Sequence, residues 1–254
     1  MNVLALDFDG VLCDSATETA VTAWRAGQQL WPAWKGSEPP ATWLTRFRQL
    51  RPVIETGYQA IALLRLIADG VPDAEILAGF PHRAAAVSAQ TGRSVAELVH
   101  LFGEARDLWI ARDAGDWLGC HRFYPGVTAM LRRACAVAEL FILTTKQRRF
   151  TELLLRAEAI DLAAERVFGL EAGRRKEDVL LALIGQTRLS GAHFWFVEDR
   201  LATLESAAAR VELTDLRLCL ATWGYCLEEE VRRARANPRL LCLGLEQFTA
   251  PGFP

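Results

Sequence analysis

The sequence predicts an α/β protein, a three-layer open parallel sheet with an all-helical unit inserted after its first strand. Three observations carry this. Short apolar runs recur at 3–6, 139–143, 193–197, 216–220 and 240–243. Each is too short for a helix and is bounded by turn or helix signals, which is the pattern of buried strands. Residues 15–122, in contrast, read as helix after helix with no strand between them. Such a stretch must pack on itself as a separate helical unit. Finally, polar, chemically capable residues stand directly after the apolar runs. They are Asp7-Phe8-Asp9-Gly10, Thr144-Thr145-Lys146 and Glu198-Asp199-Arg200. In open parallel sheets, ligands bind just beyond the carboxyl ends of the strands. The expected division is therefore a sheet-bearing core of 1–14 and 123–254, with a helical insertion of 15–122.

Taken in order, Val3–Leu6 is the first strand, and Asp7 and Asp9 sit at or just past its tip. Gly10 lets the chain turn and lets backbone N–H groups approach a bound oxyanion. The insertion opens with a helix from Ser15 to Leu30, ending before Pro32, and Pro39-Pro40 marks a break. A short helix over Thr42–Leu50 follows. Val53–Ala68 then carries Ile54, Tyr58, Ile61 and Leu64 at helical spacing and stops at Gly70. Ser94-Val95-Ala96-Glu97 is a capping box that opens a helix through Trp109. Phe123-Tyr124-Pro125-Gly126 is the re-entry turn, followed by a helix to about Ala136. Beyond it come a strand at Glu139–Leu143, a helix at Gln147–Ala157 and a short strand around Val167-Phe168. The helix Val179–Ile184 precedes strands at His193–Val197 and Leu216–Leu220, and Leu240–Leu243 reads as an edge strand before a Pro- and Gly-rich tail.

Composition excludes several classes. The formal net charge is −2, without the basic excess that nucleic-acid binding needs. Six cysteines show no C-x-x-C pair and several lie in apolar runs, which reads as reduced thiols in a cytosolic compartment rather than zinc ligands. No apolar window is long enough for a membrane span, and the apolar start is too short for a secretory signal. The expected location is the cytoplasm.

The string Asp7-Phe8-Asp9-Gly10-Val11-Leu12-Cys13-Asp14-Ser15 resembles the first motif of the haloacid dehalogenase superfamily, a hydrophobic strand followed by D-x-D-G-[TV]-[LI]-x-D-S. Thr144, ending an apolar strand, is similar to the second motif. Lys176 resembles the third-motif lysine before a helix, although Arg174 and Arg175 are adjacent and the proline often found after that lysine is missing. Glu198-Asp199 resembles the acidic pair of the fourth motif, with Thr203 where many relatives carry a further acid. Thr222-Trp223-Gly224-Tyr225 resembles the turn after a late strand in phosphoglycolate-phosphatase-like members. One subgroup of the superfamily inserts a helical cap directly after the first motif, where this chain has its helical stretch.

The resemblance implies a Rossmann-like core with a helical cap, and a Mg²⁺-dependent phosphatase acting on a small phosphorylated metabolite. It implies Asp7 as nucleophile, Asp9 as general acid and base, and Thr144 and Lys176 as ligands of the phosphoryl oxygens. Asp7, the Asp9 carbonyl and Asp199 would hold Mg²⁺, with Glu198 as a further acid of the metal site. Gly10, Thr145 and Arg51 are candidate substrate-binding residues. For Arg51 the competing reading is a helix start, with Pro52 in the first turn and Glu55 near the positive end of the dipole. For Thr145 and Lys146 it is a solvated loop. Haloacid dehalogenases lack an acid at the position of Asp9, which argues against dehalogenation. Phosphonatases use a cap lysine, and Lys35 has no apolar setting to lower its pKa. Two alternatives stay open, a phosphomutase using the same motifs and an inactive phospholigand-binding or partner protein.

Overall fold

The computed structural model describes residues 1–253. The chain divides into two compact units, Met1–Asp14 with Phe123–Pro254, and Ser15–Arg122.

The first unit is built on β1 (Asn2–Leu6), β2 (Cys13–Asp14), β3 (Arg122–Phe123, where the chain re-enters), β4 (Ala138–Leu143), β5 (Val167–Phe168), β6 (His193–Glu198), β7 (Arg217–Ala221) and β8 (Leu240–Leu243). Six of these form one parallel sheet in the order β5-β4-β1-β6-β7-β8. The chain leaves β1 toward β4 and β5, then returns to β6 on the other side, so a topological switch point lies between β1 and β6. Register fixes the tips: Leu6 pairs with Ile142 on one side and Val197 on the other. Asp7, Thr144 and Glu198 are thereby delivered to the same end of the sheet.

Side chains alternate across the sheet as strand geometry requires. Val3 and Ala5, Phe141 and Leu143, Phe194 and Phe196, and Leu218 and Leu220 enter one apolar cluster with α9 (Lys176–Ile184), α10 (Leu201–Ala208) and α11 (Glu228–Ala236). Leu4, Leu6, Leu140, Ile142 and Cys219 face the other way and are also buried. The sheet is therefore covered on both faces, which is why its strands read as continuous apolar runs. α7 (Val127–Val137) packs on β4 and against α12 (Leu245–Thr249), while α8 (Arg148–Ala157) packs on β5. The C-terminal stretch is more than a tail. Phe248 is fully buried and stacks on Trp223 at 5.1 Å, and Phe253 packs against Trp195 at 5.3 Å. Aromatic area, not Pro and Gly content, decides the conformation there.

The second unit holds α1 (Ala16–Leu30), α2 (Ala41–Leu50), α3 (Gln59–Ala68), α4 (Asp73–Gln90), α5 (Val95–Arg112) and α6 (Ala114–Gly119) around its own core of Trp24, Phe47, Leu63, Phe80 and Phe102, among others. The capping box at Ser94 forms in both directions: Glu97 N–H donates to Ser94 Oγ at 3.3 Å, and Ser94 N–H to the Glu97 carboxylate at 2.7 Å. α3 starts later than its apolar spacing suggests. The Gln59 side chain accepts from the N–H groups of Glu55 and Thr56 at 2.9 and 3.0 Å, which holds Ile54–Tyr58 as a loop before the helix. Apolar periodicity gives no element at 71–93 because α4 is kinked at Gly79 (φ −135°) and carries Pro81 inside it. One buried charge network ties three helices together. Glu18, fully buried, accepts both Nε and Nη2 of Arg106 at 2.7 and 2.8 Å, and Trp117 Nε1 at 3.1 Å. Among the described residues no helix is long and apolar enough to cross a membrane.

Candidate active site

Four loops meet at the switch point. β1 ends in Asp7, 5 % exposed, whose N–H still bonds the Val197 carbonyl at 2.9 Å and so continues the ladder. Gly10 follows with φ +92°. A Cβ there would lie 1.9 Å from Asp199 Oδ2, so glycine is required by both conformation and space. β4 delivers Thr144, whose Oγ1 accepts the Lys146 N–H at 3.1 Å and tightens the turn. Thr145 lies half-buried within that turn. Gly173, in a left-handed conformation, reverses the chain ahead of α9, and Lys176 is the first residue of that helix. β6 delivers Glu198 and Asp199, both buried.

Lys176 links these tips. Its Nζ lies 2.5 Å from Asp7 Oδ1 and 2.6 Å from Glu198 Oε2. Arg175, the competing cation, is exposed and pairs with Glu177 and Asp178 instead. Glu198 is held on its other oxygen too, where Oε1 accepts the N–H groups of Asp199 and Arg200 at 3.1 and 2.9 Å. With one oxygen on backbone and the other on Lys176, its observed partners make Glu198 the anchor of the lysine.

The electrostatics follow from burial. The Asp7 carboxyl is pushed up from 3.8 to about 7. Burial is the main cause; Lys176 works against it, while the charges of Glu198 and Asp9 add to it. Burial alone would lower the Lys176 ammonium, but Asp7 and Glu198 outweigh it and raise it above the usual lysine range. A raised Asp7 pKa has a definite sign in stability. The folded protein holds that proton more tightly than the unfolded chain, so the stability linked to it is complete below the ordinary aspartate value of 3.8 and is lost as pH rises through about 7. In the presence of a chelator, the melting temperature of Asp7→Asn should therefore gain on wild type as pH is raised from about 5 to about 8. A difference that does not change with pH would contradict the raised value.

For Lys146 the sequence left a solvated loop open beside a functional place, and the structure takes it out of solvent. It is 3 % exposed, and its Nζ lies 3.2 Å from Asp9 Oδ1. The signal available was charge balance. Two acids at the tip of a buried strand call for a cation, and the neighbouring strand tip offers one two residues past Thr144. Arg51 lies in the helical unit, in the turn Arg51–Val53. It is buried, and its Nη1 donates to the Ile54 carbonyl at 3.2 Å.

The donor set fits a hard divalent cation. Asp7, Glu198 and Asp199 are all buried and each offers an oxygen within 4.8 Å of the others. Asp9, on the loop that follows Asp7, places its carboxylate 3.2 Å from Lys146 Nζ, and Lys176 lies against both Asp7 and Glu198. Clustered carboxylates that offer only oxygen donors are what Mg²⁺ takes.

The chain matches the family model for haloacid dehalogenase-like hydrolases over residues 1–209. No curated protein sequence matches it. Solved structures do. A predicted haloacid dehalogenase-like hydrolase from Bacteroides fragilis superposes with a TM-score of 0.61 at 17% identity, covering 97% of this chain and 99% of that one. A haloacid dehalogenase-like family protein from Streptococcus pneumoniae gives 0.56 at 14% identity, covering 95% and 93%. A predicted phosphoglycolate phosphatase from Haemophilus somnus gives 0.58 at 15% identity, covering 95% and 93%. At these identities the structures speak for the fold. The matched residues run from the Asp7 strand past the Glu198-Asp199 pair and α10, and on them the chain belongs to the haloacid dehalogenase-like hydrolase family.

Proposed function

We propose that the protein is a Mg²⁺-dependent phosphatase that hydrolyses a small phosphate monoester through a phosphorylated Asp7. The observation that carries this reading is the half-buried Lys176 ammonium joining the Asp7 carboxylate to Glu198, with Asp199 beside them. A buried carboxylate held by one fixed cation, at the open end of a sheet, suits a nucleophile that must be aimed, and Lys176 opposes the rise in pKa that burial causes.

In this reading Asp7 Oδ attacks phosphorus and the ester oxygen leaves, accepting a proton from Asp9. Water then attacks the aspartyl phosphate with Asp9 as base, releasing phosphate and restoring Asp7. Asp7, the Asp9 carbonyl and Asp199 would hold Mg²⁺. When bound, the ion supplies positive charge that offsets repulsion between Asp7 and the phosphate dianion. Lys176 and the Thr144 hydroxyl bind equatorial oxygens, where charge collects in the transition state. Glu198 holds Lys176 and stands as a further acid of the metal site. Gly10 keeps the loop close to Asp199, and Thr145 and Arg51 are assigned to the rest of the substrate. The helical unit serves as the cap. None of the six cysteines forms a disulfide, which suits a reducing compartment such as the cytoplasm.

Lys146 belongs in this scheme as the counter-charge of Asp9. Lys146→Met should lower kcat/KM by about 10²-fold and Lys146→Arg by less, read as phosphate release at saturating Mg²⁺. Equal activity of Lys146→Met and wild type would remove Lys146 from the reaction. The reading as a whole is tested by phosphate release from an aryl phosphate ester with Mg²⁺ or with chelator. Turnover only with the metal is expected. Equal turnover in chelator would refute the metal's part in the reading.

A further inference from the structure

The turn after β7, outside the residues matched by the family model, carries no group that the proposed chemistry uses. Yet it is bound at every position. Thr222 N–H and Oγ1 both donate to the Leu243 carbonyl, at 3.1 and 3.0 Å, which fixes the turn to the end of β8. Trp223 Nε1 donates to the Val11 carbonyl at 3.1 Å, and its indole stacks on the buried Phe248. The Tyr225 N–H donates to Asp199 Oδ2 at 2.6 Å, and its hydroxyl to Asp14 Oδ1 at 2.8 Å. Between these, Gly224 is wedged into the site. A Cβ on it would stand 2.4 Å from Asp199 Cβ and 2.4 Å from the Gly10 carbonyl oxygen.

These contacts have a common target. Two of them reach the loop that follows Asp7, and one takes an oxygen of Asp199. An aspartate at a strand tip swings about its side-chain torsions unless something holds it, and charge-assisted bonds from backbone N–H groups are among the stronger restraints. In this site the restraint matters because Asp199 must share one ion with its neighbours: it offers an oxygen within 4.8 Å of those of Asp7 and Glu198. A carboxylate already aimed at the site loses no further freedom when the ion binds.

We propose that the turn Thr222–Tyr225 is a positioning device for the metal site. It locks the Asp199 carboxylate against the Asp9-Gly10-Val11 loop, through the Tyr225 N–H and the close fit of Gly224, and so sets the affinity for the divalent ion. This rests on the metal-dependent reading above. Trp223, Gly224 and Tyr225 are positioning residues and touch no reacting atom.

The test is direct binding of Mn²⁺ to the metal-free full-length protein, by calorimetry, followed by kcat and the metal activation constant with an aryl phosphate. Gly224→Ala should weaken Mn²⁺ binding by about 10- to 100-fold, the usual effect of disturbing groups behind a metal ligand. Its kcat at saturating metal should stay within a few-fold of wild type. Tyr225→Phe keeps the N–H and should bind Mn²⁺ more tightly than Gly224→Ala. A folded Gly224→Ala that binds Mn²⁺ as wild type does overturns the proposal. If Gly224→Ala does not fold, Trp223→Phe decides, since it keeps the stack and loses the bond to Val11. Weaker Mn²⁺ binding with kcat retained supports the proposal, and unchanged binding overturns it. Wild type that binds no divalent ion would refute the phosphatase reading itself, an outcome distinct from wild type and variants binding equally well.

Discussion

Asp7→Asn is expected to lower kcat by at least about three orders of magnitude, because an amide cannot form the acyl phosphate on which the two-step reaction depends. The variant should fold. Asn has the size of Asp, its amide oxygen can still accept from Lys176 Nζ, and Glu198 remains as that lysine's second partner at 2.6 Å. The loss should therefore fall on kcat, with phosphate binding retained. Phosphate release under saturating substrate and Mg²⁺ measures the first, and titration with inorganic phosphate the second. A variant that keeps a tenth of wild-type turnover would place the nucleophile elsewhere.

Lys176→Met should damage both stability and activity. The lysine neutralises two buried carboxylates whose side chains are 7 % and 0 % exposed. Removing one partner of a buried ion pair leaves an uncompensated charge, at a cost of about 3–5 kcal/mol. Activity should fall by at least about 10²-fold, since a cation aimed at the phosphoryl oxygens is lost as well. The two effects separate in a double variant. Lys176→Met with Glu198→Gln removes one of the stranded charges and should recover part of the stability, while turnover stays low. Urea unfolding measures the stability and phosphate release the activity. A single variant as stable as wild type would show that the Asp7–Lys176–Glu198 contacts do not carry the energetics described here.

The sheet was legible because its strands are buried on both faces. Val3–Leu6 and His193–Val197 could be read as strands from apolar runs alone, and their tips placed acids in view. The helix at Val95 was legible from its capping box, a local signal that needs no tertiary partner. Features made by distant contacts were not. The start of α3 depends on the Gln59 side chain reaching back to Glu55 and Thr56. The kink at Gly79 interrupts the periodicity of α4. Phe253 finds Trp195 and Phe248 from the far end of the chain. Lys146 reads as a loop residue in sequence and becomes a buried counter-ion because β4 lies next to β1. Tyr225 meets Asp199 across 26 positions and Asp14 across 211, and no spacing rule connects them.

The most direct test of the central claim is to trap the covalent intermediate. Borohydride reduces an aspartyl phosphate to homoserine and leaves free carboxylates intact. Wild-type protein quenched with borohydride during turnover of an aryl phosphate in Mg²⁺ should show homoserine at position 7 by peptide mass spectrometry, and the same protein in chelator should not. Sustained turnover with Asp7 unreduced, or reduction at another carboxylate, would contradict the account.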